Sequence, residues 1–158
     1  MDKQEVMKNT VRVIEGFFAD EDWTYEYEEE KMVFRTGVNL DNKLKSTRIF
    51  IRVAEQGVSV LSTINMKADK ECLQQVAEYL TRANYGLRDG NFELDFSDGE
   101  IRYKVFHSSI DGVPSKELIK NAVYIGLWML ERYGNGLLSV MFGMQTPAEA
   151  IEESEKDN

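Results

Sequence analysis

The chain has 158 residues, 42% hydrophobic, 30% charged and 11% aromatic, a balance that suits one folded domain with its own core and excludes a disordered chain. Twenty-eight acids against nineteen bases leave a net charge of −9, which repels phosphate backbones and anionic membranes and counts against general nucleic-acid or lipid binding. No apolar run nears the roughly 18 residues of a membrane span, Cys72 has no partner for an internal disulfide, and MDKQEVMKNT lacks a signal core, so the expectation is a soluble cytoplasmic protein.

Val6, Met7, Val11, Val13, Ile14, Phe17 and Phe18 recur at spacings of three and four and predict an opening helix with one broad apolar face. Seven acids then fall between Asp20 and Glu30, but Trp23, Tyr25 and Tyr27 alternate with Thr24, Glu26 and Glu28, the period of a half-buried strand whose acids form a solvated face. Three further strands are expected: Met32 to Leu40, a strand through Ile49, Ile51 and Val53, and one from Val58 to Met66. A two-residue turn at Gln56 and Gly57 would set Val53 opposite Val60 and Ile49 opposite Ile64. Lys43, Lys45, Arg48 and Arg52 form a local basic cluster, read as solvating the outer sheet face.

From Asp69 to Asn84 the period returns to that of a helix, with Leu73, Val76, Ala77 and Leu80 as its stripe, Asp69 as its cap, and Asn84 and Gly86 as its stop. Cys72 lies beside the stripe as a small core residue, with no neighbouring base to activate it. The stretch GNFELDFSDGEIRYKV, Gly90 to Val105, concentrates Glu93, Asp95, Asp98 and Glu100, which raises the question of a metal or acid/base site. Asp98-Gly99 is a strong two-residue hairpin signal. With that turn, Phe96 faces Ile101, Leu94 faces Tyr103 and Phe92 faces Val105, while Asp95 meets Arg102 and Glu93 meets Lys104. The carboxylates are thereby spent on structure, and neither a metal nor a cofactor is expected; a calcium loop would also need a different spacing from DFSDGE.

Pro114 opens the next helix, whose apolar face is Ile119, Ala122, Val123, Gly126, Leu127 and Leu130, widened by Ile125, Trp128 and Met129. RYGNG is expected to interrupt it, leaving a short apolar element from Leu137 to Met144. Thr146, Pro147 and Glu149 carry a helix-start box, and past Ile151 the charged end is expected to fray. The division expected is therefore residues 1–145 as one α+β domain and 146–158 as a short acidic helix or tail.

Two segments resemble the YbjN family of bacterial proteins: YLTRANYGLRDGNFELDFSDGEIRYKV, Tyr79 to Val105, and FGMQTPAEAIEESE, Phe142 to Glu155, with its G-x-x-x-P-x-E-A-I pattern. The likeness lies in the second half of the chain. It implies an α+β fold similar to the type III secretion chaperones, a twisted and largely antiparallel sheet of about six strands packed against helices in the order α-β-β-β-β-α-β-β-α. It also implies a non-enzymatic, commonly dimeric protein that binds polypeptide, in a family described as sensory transduction regulators. Leu137, Leu138, Met141, Phe142 and Met144 are the candidate contact residues for a protein partner or a second copy. A rival reading is an enzyme or small-ligand binder with a pocket between helix and sheet, using His107, Tyr103 and the bases around Arg48.

Overall fold

The computed structural model describes residues 1–156. Asp2 caps the first helix by accepting the Glu5 amide, and α1 runs Lys3–Glu21. Asp22, in the left-handed conformation, ends it. The chain then forms β1 (Glu26–Glu28), a 3-10 turn (Glu29–Lys31), β2 (Val33–Asn39), β3 (Ser46–Ala54) and β4 (Gly57–Ile64). After α2 (Leu73–Asn84) come the strands β5 (Asn91–Leu94) and β6 (Ile101–Ser108), the long α3 (Lys116–Met141) and α4 (Pro147–Ser154). The six strands form one sheet in the order β1-β2-β3-β4-β6-β5, every neighbouring pair antiparallel. The helices pack on one face of it, α1 against β3 and α3, α3 against β4 and β6, α2 against β5 and α3, and α4 against α2 and α3.

The alternation in each strand decides which side chains meet the helices, because successive residues point to opposite faces. One inward row is Phe34, Ile51, Val60 and Val105; the next is Ile49, Ser62, Tyr103 and Phe92. Apart from Ser62 these are apolar or aromatic, and all are buried against α1 and α3 residues such as Ile14, Phe17, Ile119 and Val123. Near β1 the core is aromatic: Phe18 stacks on Tyr25 at 4.5 Å, and Tyr27 on Phe34 at 4.3 Å.

Both hairpin registers differ from expectation by two residues. Val53 pairs with Val58 and Ile49 with Ser62, so the β3–β4 turn is Glu55-Gln56. Phe92 pairs with Tyr103, Glu93 with Arg102 and Leu94 with Ile101. A shift of two keeps every side chain on its face, so the apolar rows survive while the partners change.

Two helix boundaries also move. Ser115 caps α3, accepting the Leu118 amide, and Pro114 lies just before the cap. Asp69 caps the turn ahead of α2, accepting the Glu71 and Cys72 amides, and the helix itself starts at Leu73.

RYGNG does not interrupt α3, which continues to Met141. Gly134 and Gly136 serve close packing there: a methyl group on Gly134 would lie 2.5 Å from Leu44 and 2.6 Å from the Asn42 amide nitrogen, and one on Gly136 would collide with the Tyr79 hydroxyl. The space left open at Gly136 lets Tyr79 Oη donate to the Tyr133 carbonyl at 2.6 Å and approach Ser154 Oγ at 3.1 Å, tying α2, α3 and α4 together. Helix α4 has both halves of the Thr146–Glu149 capping box, and it stays helical through Ser154, beyond the expected fraying point.

Ser62 carries the one buried side-chain oxygen without a hydrogen-bond partner among the described residues, facing Gly126 of α3. A buried hydroxyl that pairs with nothing opposes folding. Ser62→Ala should therefore hold or raise the urea midpoint, by up to about 1 kcal/mol of stability; a clear fall would mean that the hydroxyl has a partner in solution.

Candidate functional site

The acidic stretch around Asp95 is a closed loop whose carboxylates bond to their own backbone. Asp95 Oδ1 accepts the Ser97 amide at 2.8 Å and the Ser97 hydroxyl at 2.6 Å. Asp98 Oδ1 accepts the Glu100 amide at 2.9 Å, and its Oδ2 pairs with Lys67 at 3.0 Å. These bonds hold both carboxyls below the ordinary aspartate range, led by the Ser97 hydroxyl for Asp95 and by the Glu100 amide for Asp98. The turn is not the two-residue Asp98-Gly99 corner. Asp95 donates its amide to the Glu100 carbonyl, Phe96 to Gly99 bulge between them, and Phe96 is exposed instead of opposing Ile101. Asp95 does not face Arg102, which pairs with Glu93 at 2.8 Å. Among the described residues no group of three or more His, Cys, Asp or Glu is placed to hold a metal ion.

The residues of the rival pocket reading are not brought together. Tyr103 is buried on the helix side of the sheet, where its hydroxyl donates to the Asp89 carbonyl at 2.5 Å. Burial, with the Asp89 charge second, pushes that phenol up to about 12. His107 shares the Tyr103 face but lies at the far end of β6, opposite Val58. Arg48 is on the other face, since it pairs with Gly37 and Thr63 while Ile49 points inward. Cys72 is half-buried against the core, and burial raises its thiol pKa, the opposite of the shift that activates a thiol.

The five candidate contact residues divide. Leu137 and Leu138 are 1% and 8% exposed and belong to the core, a consequence of α3 running on through them. Met141 is half-buried, while Phe142 and Met144 are 65% and 74% exposed in the turn between α3 and α4. They border an open groove of about 530 Å³ lined by Cys72, Val140, Met141 and Pro147, with Asp69, Glu71 and Glu149 also on its walls.

A second surface was not legible as a unit. The face of the sheet away from the helices carries Arg35, Phe50, Leu61 and Lys104 in one cross-strand row, Arg48, Thr63 and Arg102 in a second, and Val33, Arg52, Ser59 and Phe106 in a third. The sequence signal that could have found it is the absence of any Asp or Glu within β2, β3, β4 and β6 of a chain with 28 acids. No helix among the described residues is long and apolar enough to cross a membrane.

No curated protein matches the chain. The crystal structure of "YbjN, a putative transcription regulator from E. coli" is similar in fold, with a TM-score of 0.59 over 79% of this chain and 91% of that one, at 8% identity. The YbjN family model, "Putative bacterial sensory transduction regulator", matches residues 10–139, from within α1 to near the end of α3. That span takes in the first half of the chain as well as the Tyr79–Val105 segment, and stops short of the Phe142–Glu155 segment. With most of its length matched, and with the helix-backed antiparallel sheet described above, the chain belongs to the YbjN family.

Proposed function

We propose that this YbjN-family protein is a non-enzymatic, cytoplasmic binding and regulatory module that acts as a homodimer through the α3–α4 turn. The family is described as a sensory transduction regulator and not as an enzyme. One observation carries the reading: Phe142 and Met144 project from the turn beside a groove lined by Cys72, Met141 and Pro147. An exposed apolar side chain at the rim of a groove is what a twofold contact needs, with each Phe142 seated in the other copy's groove. Methionines on both sides suit a contact that must adapt its shape.

Phe142→Asp places a charge at the centre of that contact and should convert dimer to monomer in light scattering, with an unchanged circular dichroism spectrum because the side chain is exposed in the single chain. A wild-type protein that is monomeric at working concentration would dispose of the dimer.

A further inference from the structure

The open face of the sheet is a separate surface, and its chemistry runs against that of the whole molecule. Five of the chain's nineteen bases, Arg35, Arg48, Arg52, Arg102 and Lys104, point outward from β2, β3 and β6, and no acid lies in those strands or in β4 between them. The outward acids on the sheet are confined to its edges, Glu26 and Glu28 on β1 and Glu93 on β5. Glu28 holds Arg35 at 2.7 Å and Glu93 holds Arg102 at 2.8 Å. Among the described residues Arg48, Arg52 and Lys104 form no ion pair. Between the bases lie Val33, Phe50, Leu61 and Phe106, with Phe106 about half exposed and the Arg35 guanidinium 5.9 Å from the Phe50 ring centre.

We propose that this face docks an acidic segment of a partner polypeptide in which carboxylates are interspersed with apolar side chains. Arg48 and Arg102 stand two strands apart in one row, about 10 Å, and the Phe50–Leu61 pair fills the adjoining row, so charge and apolar contact alternate on a peptide's length scale. A second copy does not fit here, because a twofold contact would set bases against bases. Nucleic acid fits worse than acidic peptide: the acidic edge strands and the net charge of −9 repel a continuous phosphate chain, while Leu61 and Val33 match apolar side chains set between a peptide's carboxylates.

A random-peptide display library selected on the full chain tests the assignment. Enriched peptides should be acidic, with Leu, Phe or Val between the carboxylates. In fluorescence anisotropy they should lose affinity about tenfold or more for Arg48→Glu/Lys104→Glu, equivalent to about 1.4 kcal/mol. Binding should weaken with added salt and persist in Phe142→Asp, which separates this face from the α3–α4 turn. If the double variant fails to fold, Arg48→Gln alone should still weaken binding. Selection without acidic bias, equal affinity for the charge variants, or tighter binding of a short oligothymidylate than of the peptides would overturn the proposal.

Discussion

Between pH 10 and 12 the urea midpoint should fall steeply, and the buried phenols should add their tyrosinate absorbance only as the circular dichroism signal is lost. Three tyrosines at the junction of α2, β6 and α3 carry this expectation. Burial pushes Tyr79 above the ordinary phenol range, with its bond to Ser154 opposing and the Glu155 charge assisting. Burial and then Asp89 raise Tyr103 to about 12, and burial followed by the Glu155 carboxylate, which accepts its proton at 3.0 Å, raises Tyr133 to about 12. A phenol held up in the fold stays protonated where the unfolded chain has already ionised. Its contribution is complete below pH 10 and disappears as the pH climbs toward the folded value.

Each such group takes about 1.4 kcal/mol per pH unit above 10, so three remove about 3–4 kcal/mol per unit once some solvent access at Tyr133 is allowed for. Two such units remove about 6–8 kcal/mol, a large share of the usual total of about 5–15 kcal/mol. Replacing Tyr79 by Phe should move the alkaline midpoint upward while lowering stability at neutral pH, where the bond to the Tyr133 carbonyl is lost. Tyrosinate signal from these three groups appearing well before the fold is lost would contradict their burial.

Gly99→Ala should cost about 2–5 kcal/mol, read as a lower urea midpoint with an unchanged slope, for two additive reasons. Gly99 has φ +79°, a conformation that a residue with a β-carbon adopts at a penalty of about 1–2 kcal/mol. The added methyl would also collide with the backbone oxygen of Ala68, whose amide donates to the Gly99 carbonyl at 2.9 Å. Backbone on both sides cannot swing away, so the loop or the segment before α2 must shift, at about 1–3 kcal/mol. Asp98→Ala in the same loop should lower the urea midpoint much less, since it loses one exposed ion pair and one local amide bond. Equal stability of Gly99→Ala and the natural protein would show that the loop does not pack against Ala68.

The same loop shows why pattern reading stopped where it did. Asp98-Gly99 is a genuine turn signal, but the Asp95 carboxylate binds Ser97 and the Gly99 carbonyl is held by Ala68, far away in sequence order, so the corner opens to Phe96–Gly99. Apolar alternation has a period of two and is satisfied by any even shift; it tells inside from outside and leaves the pairing partner to turn length and neighbouring contacts. Helix α3 shows the complementary limit. Glycine lowers helix propensity by about 1 kcal/mol, which reads as a stop at Gly134 and Gly136, yet the packing of Leu44, Asn42 and Tyr79 against those positions holds the helix together. That continuation buried Leu137 and Leu138 and left Phe142 and Met144 as the exposed part of the patch.

From the sequence alone came the number and order of the strands and main helices, the inward face of each strand, the capped C-terminal helix and the family likeness. These rest on local periodicity and on short capping motifs, which a chain carries wherever it goes. Pairing register, the length of α3 and the assembly of Arg35, Arg48, Arg52, Arg102 and Lys104 on one face were decided only by the tertiary structure. Residues 35 and 104 become neighbours on one surface through cross-strand hydrogen bonding, and no local pattern in the chain records which strands will lie side by side.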